Sequence, residues 1–113
     1  MKIALTGANS RVGKTLLAHL LADSDHSVVA GARSTRSFAE FPESPRIAPS
    51  VIDYDDVTGL VAALEGADCL VHLAGILIES KGSTYQSANV DATAAVLSAA
   101  QKAGIAHVVF ISV

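Results

Sequence analysis

The chain has 113 residues, half of them hydrophobic and 17% charged, which excludes a disordered chain and suits one domain with a modest core and no separate substrate lobe. A formal net charge of −3 argues against nucleic acid or an anionic membrane as the main partner. No apolar run reaches the roughly 18 residues that span a bilayer, no signal peptide precedes the first strand, and the one cysteine, Cys69, sits in an apolar run where packing is its default role; a cytoplasmic, reducing setting is expected.

The opening stretch organises the rest. Ile3 to Leu5 reads as a buried strand, a Gly-bounded turn follows, and a helix then carries Val12, Leu16, Leu17, Leu20 and Leu21 on one face. Strand, glycine turn and helix in that order form a phosphate cradle. Gly7 allows a tight reversal, Gly13 lets the helix start lie close to strand and ligand, and the N–H groups of the first helical turn point at an anion. Two motifs overlap here. The dinucleotide pattern G-x-x-G-x-x-G fits Gly7 and Gly13 but has Ser10 at its middle glycine. The triphosphate-binding loop G-x-x-x-x-G-K-[ST] fits Gly13, Lys14 and Thr15 but has Ala8 at its first glycine. Each is defective at one position, so the downstream chain must decide.

Asp23-Ser24-Asp25 is a turn, and His26 to Ala32 a second strand centred on Val28 and Val29. Arg33 follows it. About 20 residues past such a turn, an acidic residue would hold a ribose 2′-hydroxyl, whereas arginine suits a 2′-phosphate through bidentate, charge-assisted bonds. The bland alternative is a solvated arginine at a strand end; Arg36 is a more speculative helper. Residues 34–46 read as irregular, broken by Pro42 and Pro45, with Phe38 and Phe41 pinning the loop to the sheet. Ile47 to Ile52 is a third strand, placed at an edge by Pro49. Asp53 stands at its carboxyl end, where open α/β sheets bind ligands, although a turn carboxylate is nearly as good a reading.

A helix over Val57 to Glu65 has Asp56 as N-cap and Gly66 as its stop. Cys69 to Leu73 is a fourth strand, apolar enough to be buried on both faces, with Ala74 and Gly75 following at once to allow close approach by a ligand. His72 on this strand reads as a structural histidine, and no second ligand stands at metal-site spacing from it. After a polar loop over residues 76–83, a helix from about Thr84 to Ala103 offers Ala88, Ala92, Ala95, Val96, Ala99 and Ala100 for close packing. Gly104 ends that helix, and His107 to Val113 is a fifth strand. Alternating strands and helices predict right-handed βαβ units and an α/β fold, a doubly wound parallel sheet of five strands in order 3-2-1-4-5 with helices on both faces.

Four segments together resemble the N-terminal, cofactor-binding part of an extended or atypical short-chain dehydrogenase/reductase, the NAD-dependent epimerase/dehydratase and NmrA-like group. They are Thr6-Gly7-Ala8…Val12-Gly13, Val51 to Asp56, Gly66 to Gly75, and the run Tyr85…Asn89-Val90…Thr93…Ala99-Ala100…Ala103-Gly104-Ile105…Val108 to Ser112. The last two favour the dinucleotide reading of the glycine turn; a triphosphate hydrolase of this shape would want an aspartate for magnesium where His72 stands. The resemblance implies a Rossmann-type fold, incomplete before the sixth strand and substrate lobe.

It also implies roles. Gly7, Ser10, Arg11, Val12 and Gly13 would line the pyrophosphate, and Ser10 would add bulk there while offering its hydroxyl. Arg33 would take the 2′-phosphate and so favour NADP(H) over NAD(H). Asp53 and Tyr54 would neighbour the adenine, and Leu73, Ala74 and Gly75 would face the adenosine ribose and the nicotinamide side. Asn89 matches the helix asparagine that supports the active site. The family's Tyr-x-x-x-Lys is absent, because Tyr54 is followed by Thr58 and Tyr85 by Asn89. Two functions stay open: part of an oxidoreductase or epimerase, inactive as these 113 residues, or a non-catalytic NmrA-like nucleotide-sensing or interaction module. Self-association is expected through the fifth strand, whose apolar outer edge is the kind that templates pairing.

Overall fold

The computed structural model describes residues 1–23, 25–73 and 92–111. In chain order the elements are β1 (Lys2–Thr6), α1 (Arg11–Ala22), β2 (Ser27–Ala32), a 3₁₀ helix (Thr35–Glu40), β3 (Ile47–Val51), α2 (Val57–Leu64), β4 (Cys69–His72), α3 (Ala92–Ala103) and β5 (His107–Phe110). Every strand pairing is parallel, and the sheet order is β3-β2-β1-β4-β5. This is the α/β, Rossmann-type order expected from the alternation of elements. Thr6 stands opposite His72, Ala32 opposite Val51, and His72 opposite Phe110, so the carboxyl ends of the strands share one rim. The chain turns from one side of β1 to the other between β3 and β4. A crevice opens at that point, where two neighbouring connections leave in opposite directions.

Alternation along the central strands divides the core in two. On one face Ala4, Val29 and Leu70 meet Leu60 and Leu64 of α2 and Val96, Ala99 and Ala100 of α3. On the other, Leu5, Val28 and Ala30 meet Leu17 of α1 and Phe41. The helices therefore cover both faces. Each fully buried leucine contributes about 1.5–3 kcal/mol relative to exposure. Alanine at 92, 99 and 100, all buried, lets α3 lie close to its neighbours.

The N-caps of α1 and α2 are side-chain bonds: Ser10 Oγ accepts from Gly13 N at 3.0 Å, and Asp56 Oδ1 accepts from Gly59 N at 3.0 Å. The end of α1 is closed from a distance. The Arg46 guanidinium donates to the carbonyls of Leu21 (2.6 Å), Asp23 (3.1 Å) and His26 (3.3 Å), setting a cation against a helix C-terminus.

Two expectations need correction. Val12 does not join the leucines of α1 on a packed face but stands 47% exposed. The buried stripe of α1 runs through Gly13 and Leu17, and a residue one position before Gly13 is rotated about 100° away from it. Residues 34–46 are not wholly irregular either. Ser34 Oγ accepts from Arg36 N and starts a 3₁₀ helix that ends before Pro42. Phe38 and Phe41 do pin this segment, with ring centroids 6.0 Å apart and Phe41 buried. Pro49 lies on β3, an edge strand as expected. The expected helix start at Thr84 and the strand end at Ser112 and Val113 lie outside the described residues.

Candidate functional site

An open cleft of about 340 Å³ lies at the carboxyl rim, lined by residues from the turn after β1, the end of β2, the 3₁₀ helix, the end of β3 and the end of β4. Gly7, Asn9 and Ser10 form one wall; Ala32, Arg33, Ser34 and Ser37 form another; Ile52, Tyr54 and Leu73 close it.

The turn is shaped by its glycines. Gly7 has φ +65°, a conformation that side chains resist. Gly13 is packed so tightly that a Cβ would stand against the Gly7 carbonyl oxygen and 2.7 Å from the Ala8 Cα. The helix start is thereby pressed onto the turn. Ser10 spends its hydroxyl inside this wall, donating to the Gly7 carbonyl at 2.7 Å while accepting from Gly13 N. The expected offer of that hydroxyl to a ligand is replaced by a capping bond. Arg11 and Val12, at the first two helical positions, have N–H groups without an intrahelical acceptor. Such donors at the positive end of a helix suit an anion.

Lys14 leaves this wall. Its Nζ lies 2.6 Å from Glu40 of the 3₁₀ helix, with both side chains about half exposed. A triphosphate-loop lysine would be directed into the cradle; this one ties α1 to the segment after β2.

Across the cleft, the Arg33 guanidinium lies over the Tyr54 ring, 5.1 Å from its centroid. Tyr54 shares a side-chain hydrogen bond with Thr6. Thr6 Oγ1 stands 2.7 Å from His72 Nδ1 and accepts from Leu73 N at 3.1 Å. His72 Nε2 reaches Thr93 Oγ1 at 3.3 Å. Thr6 Oγ1 is thus the point where Leu73 N–H, His72 Nδ1 and the Tyr54 side chain meet. His72 is 2% exposed, and burial pushes its pKa down to about 4, which keeps the ring neutral at ordinary pH. Tyr54 is raised above the usual phenol value by desolvation, against the opposing effects of the Thr6 bond and the Arg33 charge. His72 is a structural histidine, as the apolar strand suggested, and Phe110 packs edge-on against it at 5.8 Å.

Of the residues singled out by sequence, Gly7, Ser10, Arg33, Tyr54 and Leu73 share the cleft lining. Gly13 is buried beneath it; Arg11, Val12 and Asp53 are exposed and outside it. Asp53 Oδ1 accepts from Asp55 N at 2.9 Å, the turn carboxylate weighed as its alternative role. Ala74, Gly75 and Asn89 lie outside the described residues. Sequence reasoning missed Asn9, Ser34 and Ser37. Asn9 Nδ2 donates to Ser37 Oγ at 3.2 Å, closing the cleft between two segments far apart in sequence. Polar residues clustered after a strand end were the available signal, obscured by the prolines that follow.

A cofactor can be tested against this geometry. The turn leaves no room for a Cβ at Gly13, the helix start presents N–H donors, and no acidic side chain is among the described lining residues. These features fit a dinucleotide phosphate chain.

Comparison with known proteins bears on the same point. A family model described as NAD(P)H-binding matches residues 7–113. The oxidoreductase ylbE of Lactococcus lactis superposes with TM-score 0.76 at 25% identity, over 99% of this chain and 48% of that one. UDP-glucuronic acid 4-epimerase of Bacillus cereus, solved with NAD, superposes with TM-score 0.83 at 25% identity, over 99% of this chain and 40% of its own. An uncharacterized protein of Mycobacterium tuberculosis is 35% identical over 112 residues. The chain spans 12% of that curated relative and less than half of these solved structures. Fold, cleft and family match agree: the chain belongs to the NAD(P)H-binding family, as a dinucleotide-binding domain of the short-chain dehydrogenase/reductase and epimerase type.

Proposed function

We propose that the chain is the NADP(H)-binding domain of an atypical or extended short-chain dehydrogenase/reductase, an oxidoreductase or an epimerase. The observation that carries the NADP(H) preference is Arg33, the one charged side chain among the described lining residues. It stands at the end of β2, and no carboxylate among the described residues pairs with it. An acidic residue there would suit a ribose 2′-hydroxyl and repel a 2′-phosphate. Gly7, Ser10, Arg11, Val12 and Gly13 surround the pyrophosphate, with the backbone N–H groups of Arg11 and Val12 as its donors and Gly13 leaving it room. Tyr54 and Asp53 neighbour the adenine, and Leu73 faces the ribose. A bound nicotinamide supplies or accepts hydride. The domain binds and orients; general acid/base groups such as Tyr-x-x-x-Lys come from outside these 113 residues.

Titrating NADPH and NADH into the wild type and Arg33→Ala tests the reading. The wild type should prefer NADPH by roughly tenfold, an Arg–phosphate contribution of about 1.5–3 kcal/mol reduced by solvent. The variant should lose that preference while keeping NADH affinity. Equal wild-type affinities would refute it. Self-association belongs to the same proposal. β5 pairs only with β4 among the described strands, and Val109, Phe110 and Ile111 are each at least 40% exposed. Sedimentation of the 113-residue chain should show association rising with concentration.

A further inference from the structure

The Arg33 guanidinium is held by a ring rather than by a carboxylate. That distinction matters for its chemistry. A carboxylate partner would occupy the guanidinium's donor fork and cancel its charge, while an aromatic face supports the cation and leaves all its N–H groups free. The ring is itself anchored. Tyr54 is half-buried, hydrogen-bonded to Thr6, and set edge-on to His72 with centroids 6.0 Å apart. Thr6 and His72 are buried and paired across β1 and β4, and His72 continues to Thr93 on α3. A polar chain through the core thus ends on the surface that carries Arg33.

We propose that Tyr54 is a positioning residue for cofactor specificity, its ring holding the Arg33 guanidinium at the cleft wall with its donors free for a 2′-phosphate. This rests on the NADP(H) reading of Arg33. The chain Thr93–His72–Thr6 fixes the hydroxyl end of the ring, and the ring face fixes the guanidinium. An arginine at an exposed strand end would otherwise sample many rotamers, and ordering it on binding would cost affinity for the phosphorylated cofactor alone. Tyr54 therefore acts on the ratio of the two affinities rather than on both equally.

The test uses the 113-residue chain with NADPH and NADH as probes. Tyr54→Leu should weaken NADPH roughly three- to tenfold more than it weakens NADH, the range of an aromatic–cation contact. Tyr54→Phe, which keeps the ring, should keep the preference. Equal weakening of both cofactors in Tyr54→Leu, with the ratio intact, would make Tyr54 a merely structural residue and overturn the proposal. A second measurement needs no variant: in the wild type, Arg33 side-chain protons should resonate upfield of free arginine through the ring current of Tyr54, and free-arginine positions would overturn the stacking. The two readings fail separately. If Arg33→Ala keeps the NADPH preference, the role of Arg33 falls; if Arg33→Ala loses it and Tyr54→Leu keeps it, only the role of Tyr54 falls.

Discussion

The two walls of the cleft are built on opposite principles. The glycine-turn wall is local: residues 7 to 13 close it with bonds three residues long, Ser10 N and Oγ to the Gly7 carbonyl and Gly13 N to Ser10 Oγ. The arginine wall is assembled from four elements, with Arg33 on Tyr54, Tyr54 on Thr6, and Thr6 on His72 across 66 residues of sequence. A local wall fails by losing space; an assembled wall fails by losing partners. In the proposed reading the first wall serves any dinucleotide, because pyrophosphate is common to all of them, and the second tells the cofactors apart.

The largest expected effect comes from filling the local wall. Gly13→Ala puts a methyl where the Gly7 carbonyl and Ala8 backbone already stand, and backbone atoms cannot swing aside. A loss of about 3 kcal/mol in stability is expected from this overpacking, with NADH and NADPH binding lost together. Urea unfolding and titration would show both. Survival of either cofactor's binding would mean that the turn relaxes more easily than its contacts imply.

The assembled wall breaks by acid instead. His72 has a native pKa of about 4 against an ordinary value of 6.5, so the unfolded chain binds its proton first as pH falls. Its contribution to stability is complete above about pH 6.5, declines below that, and is fully lost near pH 4. Between pH 6.5 and pH 5 the decline should be about 2 kcal/mol. Unfolding at a series of pH values would check it beside His72→Gln, which should lack this slope. A variant with the wild-type slope would show that other groups carry the acid sensitivity.

The smallest effect sharpens the comparison by testing the link between the walls. Lys14 and Glu40 join α1 to the 3₁₀ helix at the surface, a pair worth about 0.2–1 kcal/mol. Lys14→Ala should lower stability by no more than that and leave NADPH binding unchanged. Tight ATP–Mg²⁺ binding lost in this variant would instead revive the triphosphate loop.

Much of this was legible from residues alone, and the pattern of what was not is physical. Strand order, the Asp56 cap of α2, the positive-φ stops at Gly66 and Gly104 and the edge position of β3 follow from periodicity, turn chemistry and one proline, all of which act within a few residues. Gly7, Ser10 and Arg33 line the cleft because a strand end and a turn carry them there directly. Val12 was placed on the wrong face, since the buried stripe of α1 is led by a glycine and hydrophobicity does not mark it. The 3₁₀ helix was hidden because a serine side chain starts it and prolines close behind argue for loop.

What the sequence determined by itself is therefore the doubly wound framework and the local glycine turn at the end of β1. Only the tertiary structure decided that Lys14 answers to Glu40, that Asn9 meets Ser37, that Arg46 closes α1, and that Arg33 rests on Tyr54 above the His72 network. Each of these contacts joins residues more than 20 positions apart, and such pairs become neighbours only after the sheet has set its register.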